Sequence, residues 1–199
     1  MLLAFDTSTA YISVAVYDAD IDHVRSSADM VGPMKHGELL APTITSCLAD
    51  AGLVRQDLTA LVVGVGPGPY TGLRVGVVTA LTLAHALELP AYGVCSLDAI
   101  ALSVGTDEPF LVTTDARRKE LFWAGYDENR ARVEGPFVCR PGDLPDDRPV
   151  VGLPGDPVHP RAEWLGRAVA GELVELMDPE PIYLRRPDAV TPGPPKKVT

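Results

Sequence analysis

Asp6-Thr7-Ser8-Thr9 places one carboxylate and three hydroxyls at the end of a short apolar run, a grouping able to cradle a phosphate or a metal-bound nucleotide. The same residue types also close on their own backbone as Asx and hydroxyl turns, so both readings stand. The second candidate is Gly66-Pro67-Gly68-Pro69-Tyr70-Thr71-Gly72-Leu73-Arg74, a glycine-rich loop running into a helix with Thr71 placed as its cap. Free N–H groups and the helix dipole favour an anion at such a point. No Lys-Ser/Thr pair follows, however, and Gly66, Gly68 and Gly72 do not fit G-x-G-x-x-G, so a tight strand-to-helix turn explains the loop as well. His36 heads a helix with no second histidine or carboxylate at ligand spacing. His23, His36, His85 and His159 are scattered and support neither H-E-x-x-H nor a Ser-His-Asp set. Cys47, Cys95 and Cys139 are odd in number and far apart, as buried free thiols are, rather than a disulfide frame or a zinc site.

The elements that position these residues follow from periodicity. Residues 2–5 and 61–65 are continuous apolar runs, the pattern of strands buried on both faces. Residues 11–17 alternate, with Ile12, Val14 and Val16 on one face, so the Asp6 turn is the tip of a hairpin, and a third strand near 23–28 completes a meander. Apolar positions at 36, 39, 40, 43, 44, 47, 48 and 51 make an amphipathic helix that Gly52 ends, with Pro42 a kink or its true first turn. A longer helix runs from Thr71 towards Pro90. In it Gly72, Gly76, Ala80 and Ala84 form a ridge without bulk, along which a second backbone can lie close. A short strand at 91–94 and a short helix at 97–104 follow.

At Phe110 the pattern restarts. A shift of 109 residues places Asp115 on Asp6, Tyr126 on Tyr17 and Asp127 on Asp18, which indicates two lobes of like topology rather than a solenoid. The second hairpin's turn, Ala116-Arg117-Arg118-Lys119-Glu120, has none of the hydroxyls of the first. Beyond Glu134 the chain is rich in Pro and Gly, and only a strand at 150–153 and a helix at 160–170 are expected before a polar tail that is mobile unless a partner orders it. The boundary falls between a lobe of residues 1–105 and a smaller one of 106–199. A net charge of −10 argues against a protein that grips nucleic acid unaided, so any RNA role is expected to go through a partner. Met1 leads into a strand with no basic leader and Asp6 interrupts the apolar run, so a soluble protein of the reducing cytoplasm, with no membrane, is expected.

With two hairpin-led α/β lobes, the chain resembles the actin, Hsp70 and sugar-kinase superfamily, whose ribonuclease-H-like lobes sandwich ATP; here the second lobe is small and degenerate. It is most similar to the TsaB (YeaZ-type) family. That resemblance rests on Phe5-Asp6-Thr7-Ser8-Thr9, on Lys35-His36-Gly37-Glu38-Leu39-Leu40-Ala41-Pro42, and on the block from Gly66 to Gly76. It continues through Gly93-Val94-Cys95-Ser96-Leu97, Asp115-Ala116-Arg117 and Tyr183-Leu184-Arg185, with Pro69-Tyr70 replacing the family's more usual Ser-Phe. The resemblance implies an accessory subunit in making N6-threonylcarbamoyladenosine at tRNA position 37. Its partners would be a catalytic TsaD-like subunit and a TsaE-like ATPase, with tRNA reached only through the complex. In the TsaD-like relative two histidines hold a metal, and Ser96 and Ile100 stand in their places here, so no metal, no cofactor and no catalysis are implied. Asp6, Ser8 and Thr9 would be a vestigial nucleotide loop.

Two other functions compete. One is a small-molecule kinase or ATPase of the same superfamily using Asp6; the other is a peptidase, for which no residue set speaks. Under the leading reading the two long helices meet the partner, or a second copy of the chain in its absence, through His36, Leu40, Thr43, Ile44, Cys47, Thr71, Gly72, Gly76, Ala80, Leu83 and Ala84. The expectation is that a helix with two dry faces needs two neighbours, only one of which the sheet supplies.

Overall fold

A computed structural model describes residues 1–32, 35–145, 147–153 and 155–185. The first sheet is built from β1 (Leu2–Asp6), β2 (Tyr11–Asp18), β3 (His23–Val31), β4 (Ala60–Gly64) and β5 (Ala91–Val94), in the order β3-β2-β1-β4-β5. The meander β1-β2-β3 is antiparallel, whereas β4 and β5 join β1 in parallel. Helix α1 (His36–Asp50) leads to β4, and α2 (Tyr70–Leu87) makes the crossover to β5. Helix α3 (Ser96–Ser103) then leads to the second sheet, β6 (Phe110–Asp115), β7 (Leu121–Tyr126), β8 (Arg132–Cys139) and β9 (Val150–Val151). Its order, β8-β7-β6-β9, is that of the first sheet's β3-β2-β1-β4, so the 109-residue repeat is a repeat of topology.

The uninterrupted apolar run of β1 has a simple cause: the strand's side chains alternate between two dry faces. Leu3 and Phe5 point to a core shared with Leu61, Val63, Leu40, Ile44, Cys47, Val77 and Ala80, beneath α1 and α2. Leu2 and Ala4 point the other way, to Ala15, Tyr17 and Val62, and are covered by Ala162, Leu165 and Ala168. Those last three belong to α4 (Ala162–Ala170), which returns from the far end of the chain. A third core joins Leu97 and Ile100 of α3 to Phe110, Val112, Ala124 and Tyr126 of the second sheet. There Asp98 accepts a hydrogen bond from the Tyr126 hydroxyl at 2.7 Å and pairs with Arg132 at 3.0 Å. Burial pushes the Asp98 carboxyl above the usual range, against the pull of Arg132 and Tyr126.

Helix α4 has no capping side chain of its own; Ser13 of β2 supplies one, its Oγ accepting the Ala162 N–H at 2.7 Å while donating to Asp29 Oδ1 at 2.5 Å. Asp29 also lies 3.4 Å from His159, whose ring stacks on Tyr11, and 3.6 Å from Arg161. Burial opposes ionisation of Asp29, but the bonds from His159 and Ser13 outweigh it and hold the carboxyl below its ordinary value. Replacing Ser13 with alanine removes the cap and leaves Asp29 a donor short. We expect a loss of about 1–2 kcal/mol in the urea unfolding free energy, comparable to deleting a helix cap in place.

Several sequence expectations are corrected. Helix α2 begins at Tyr70 with Pro69 at its cap and no capping side chain, so Thr71 lies inside the first turn. Pro42 sits within α1, whose first residue is His36, and not at its start. Strand β8 replaces what reads as loop, because Gly135-Pro136 conceals its alternation. The strand expected at 150–153 is limited to Val150–Val151, and the helix expected from residue 160 starts at Ala162. The expected mobility of the final tail concerns residues outside the described ones.

Residues 177–185 form a strap between the two sheets. Met177 exchanges backbone hydrogen bonds with Gly93 at 2.8 and 2.9 Å, and the Ile182 N–H donates to Val65 O at 2.8 Å. Both side chains pack against the core under α1 and α2 and against the α3 core. Tyr183 rests on Tyr70 with ring centroids 4.9 Å apart, and Arg185 donates to Ala116 O at 2.9 Å and pairs with Glu120.

Candidate functional site

The Asp6 turn lies at the C-terminal end of β1, beside the end of β4 and the start of α3, where an open α/β sheet presents ligand sites. Its carboxylate is fully engaged from within. Oδ1 accepts the Ser8 N–H and the Ser8 hydroxyl, each at 2.7 Å, and Oδ2 accepts the Ser96 hydroxyl at 2.5 Å. Ser96 in turn accepts the Gly66 N–H at 3.0 Å, so strand, glycine loop and α3 meet on one carboxylate. Asp6 is 1 % exposed, Ser8 3 % and Ser96 1 %, which closes the carboxylate itself to a phosphate, while Thr9 is half-buried and Ala10 exposed. Burial raises the Asp6 pKa, opposed by the hydrogen bonds from Ser96 and Ser8.

The glycine loop is the lid of this turn. A Cβ on Gly68 would stand 2.4 Å from Ser8 O, and one on Gly76 2.4 Å from Thr7 Oγ1, so both approaches require glycine. Thr7 Oγ1 donates to Gly72 O at 2.8 Å, fastening the turn to the first turn of α2. His36 donates from Nε2 to Thr9 O at 2.8 Å, a carbonyl being able only to accept, and so acts as a tether at the start of α1. Ile100 is 2 % exposed within the α3 core, and among the described residues no group of three or more His, Cys, Asp or Glu side chains is placed to hold a metal ion. Cys47 and Cys95 are buried free thiols and Cys139 a half-buried one; burial pushes the Cys95 thiol up to about 12.

The residues expected at a partner interface divide in two. Gly72, Gly76, Ala80 and Ala84 are buried, and the small strip lies on the chain's own Thr7 turn and Val63. Leu40, Thr43, Ile44 and Cys47 are buried in the same way beneath α1. Leu83 is half-buried against that core, His36 is half-buried on Thr9, and Thr71 is exposed. Of the second dry face expected from Leu73, Val77 and Leu81, Leu73 and Val77 are buried with the small strip on one inward face, whereas Leu81 is exposed. What α2 leaves open is a different line of residues. Thr71, Arg74, Val78, Leu81 and His85 are exposed, Val78 at 58 % and Leu81 at 46 %. Thr71, Arg74 and Val78 of this line, with Tyr70, Val75 and Thr79 and with Gly37 of α1, line a groove of about 490 Å³. Arg74 lies over the Tyr70 ring, 4.2 Å from its centroid, and Tyr70 is backed by Tyr183 of the strap. The signal for this outer face was in the sequence as Val78 and Leu81, but apolar residues on every side of α2 masked it.

Two sheets of matching strand order, with helices on both faces of the first and a hydroxyl-rich turn closed upon itself, make this an α/β protein of the actin, Hsp70 and sugar-kinase fold class. The profile of the family described as TsaD, tRNA N6-adenosine threonylcarbamoyltransferase, matches residues 32–152. The chain belongs to that family, as a member of its TsaB (YeaZ-like) type. It is 40 % identical over 203 residues to an uncharacterized protein of Mycobacterium leprae, covering 95 % of this chain and 56 % of that one. It is 35 % identical over 133 residues to the tRNA threonylcarbamoyladenosine biosynthesis protein TsaB of Escherichia coli, covering 64 % of this chain and 56 % of that protein. The chain thus spans little more than half the length of these two relatives. YeaZ from Pseudomonas aeruginosa superposes with a TM-score of 0.74 at 26 % identity over 92 % of this chain and 99 % of that one. Among the described residues no helix is long and apolar enough to cross a membrane.

Proposed function

We propose that this chain is a non-catalytic subunit in the formation of N6-threonylcarbamoyladenosine on tRNA, pairing with a TsaD-like catalytic subunit and joined by a TsaE-like ATPase, in the cytoplasm. The observation that supports this most is the closure of the Asp6 turn. Where a nucleotide-using relative would present a carboxylate and hydroxyls to phosphate, Ser96 and Ser8 already occupy the Asp6 oxygens. This also weighs against the competing kinase or ATPase reading, because opening the site would break a buried four-part network before any ligand bond formed. The 1–105 lobe would hold the assembly surface, with the 106–199 lobe behind it. That surface is the outer face of α2 with the start of α1, and a second copy of the chain takes the partner's place when the subunit is isolated.

The test is to mix the purified chain with the TsaD-like subunit of the same organism and measure the mass of the product. A 1:1 or higher complex is expected, and two species migrating independently would overturn the proposal. Val78→Glu puts a charge on the exposed face, where substitutions ordinarily change stability by no more than about 0.5 kcal/mol. We expect its melting curve to match the parent's while the affinity for the partner falls at least about tenfold, since a buried unpaired charge at an interface is costly.

A further inference from the structure

We propose that the turn between β6 and β7 is the point at which this subunit holds tRNA phosphates within the assembled complex. This rests on the tRNA-modification reading above and adds to it a contact surface on this chain. Arg117, Arg118 and Lys119 follow one another in the turn, all exposed, with φ of 60°, 55° and 62°. Left-handed backbone crowds the Cβ of any L residue, so turns of this shape are ordinarily made with Gly or Asn. Here three long cationic side chains stand in those positions instead.

The turn is held in this shape from both sides. Asp115 Oδ1 accepts the Arg117 N–H at 2.7 Å, the Ala116 N–H donates to Glu120 O at 3.0 Å, and the Glu120 N–H donates to Arg117 O at 3.0 Å. From outside, Arg185 of the strap donates to Ala116 O at 2.9 Å and neutralises Glu120. The two carboxylates that flank the basic residues in the chain are thus already engaged, Asp115 with a backbone amide and Glu120 with Arg185. Neither the Arg117 nor the Lys119 side chain takes part in an ion pair among the described residues. In a chain of 27 acidic and 17 basic residues, the exposed Arg117 and Lys119 side chains concentrate positive charge at one turn.

A polyanion is the partner such a patch fits, and phosphate oxygens accept from Arg and Lys with no requirement for base sequence. Two or three phosphate contacts give little affinity on their own against a net charge of −10, so the contact works once a partner subunit supplies the remainder. The same patch facing an acidic protein surface is the alternative that the experiment separates.

Arg117→Asn with Lys119→Asn removes two charges and places at both positions a residue that tolerates positive φ, so the fold is expected to persist. The complex with the TsaD-like subunit is weighed, and its affinity for fluorescently labelled tRNA is read between 50 and 200 mM salt. We expect an intact complex, binding about tenfold weaker, and a slope of log affinity against log salt smaller by about 1.5, as for two lost phosphate contacts. Lys119→Gln alone should show about half of that slope change, and Arg117→Lys with Lys119→Arg should restore the parent's slope. An intact variant complex with unchanged affinity and slope overturns the tRNA contact while leaving the assembly reading in place. Loss of the complex itself, with normal tRNA binding by what remains, overturns it in favour of an acidic protein surface. If the unmodified chain forms no complex, the assembly reading falls and the tRNA contact with it.

Discussion

Asp6→Ala should remove about 3 kcal/mol from the unfolding free energy, because the Ser8 N–H, the Ser8 hydroxyl and the Ser96 hydroxyl all lose their acceptor inside a region closed to water. Those donors come from two parts of the chain, and Ser96 in turn holds the Gly66 N–H, so the loss is felt as a loosening between β1, the glycine loop and α3. Asp6→Asn keeps one oxygen for Ser8 and should cost about 1 kcal/mol. The two proteins also differ in pH dependence. Burial raises the folded-state pKa of Asp6 above its ordinary 3.8, so its stabilising contribution is fully present below that value and declines as pH rises through the folded-state value. Asparagine has no such titration. The deficit of Asp6→Asn relative to the parent should therefore be largest in acid and shrink as pH rises, which urea titrations at several pH values will read. A deficit that grew with pH would mean that the carboxylate is stabilised as an anion. Magnesium-ATP is expected to leave the parent's unfolding midpoint where it was, and a rise that Asp6→Asn abolished would return the kinase reading to the front.

The second large effect is expected on the inward face of α2. Ala80 is fully buried, and a Cβ on Gly76 would already meet Thr7 Oγ1 at 2.4 Å and Val63 at 3.6 Å. Ala80→Leu adds bulk to a packed core and should cost about 1–3 kcal/mol. For a chain of this size that is a fall in melting temperature of about 2–12 °C. Gly76→Leu should be worse, since it also forces Thr7 away from Gly72 O. The protein that remains folded should bind its partner with the parent's affinity, because the altered atoms face the chain's own sheet. If Ala80→Leu instead melted normally and failed to assemble, the small strip would be the interface after all and the outward line of Arg74, Val78 and Leu81 would not.

How far the sequence could be read depended on how local the cause was. Alternation in β2, the doubly apolar runs of β1 and β4, and the stripe of α1 are decided by neighbours a few residues away, and they appear in the structure where periodicity puts them. The 109-residue repeat was visible because each strand order begins with the same hairpin. The orientation of α2 was not visible. Gly, Ala, Val and Leu occupy every side of it, and a residue without bulk marks close approach while leaving open whether the approaching backbone is its own or a partner's. The closed site was half visible. Asp6 and Ser8 are two residues apart and announce a turn, but Ser96, which completes the carboxylate's set of donors, lies 90 residues away with nothing local to mark it. Strand β8 was hidden by Gly135-Pro136, a pair that ordinarily marks a loop.

The placement of α4 has a consequence for how the protein comes into being. Its Ala162, Leu165 and Ala168 cover Leu2, Ala4, Ala15 and Tyr17, and Ser13 caps it across a separation of 149 residues. A ribosome releasing this chain has therefore exposed the first two strands long before it makes the segment that shields them. Throughout that interval the part of this face that α4 covers is bare hydrocarbon, the kind of surface that recruits chaperones or aggregates. Contacts spanning so much of the chain also make closure slow. Folding of β1 and β2 is thus completed only after α4 has emerged, and a stop anywhere between β2 and residue 162 leaves a sheet that quality control will see as unfinished.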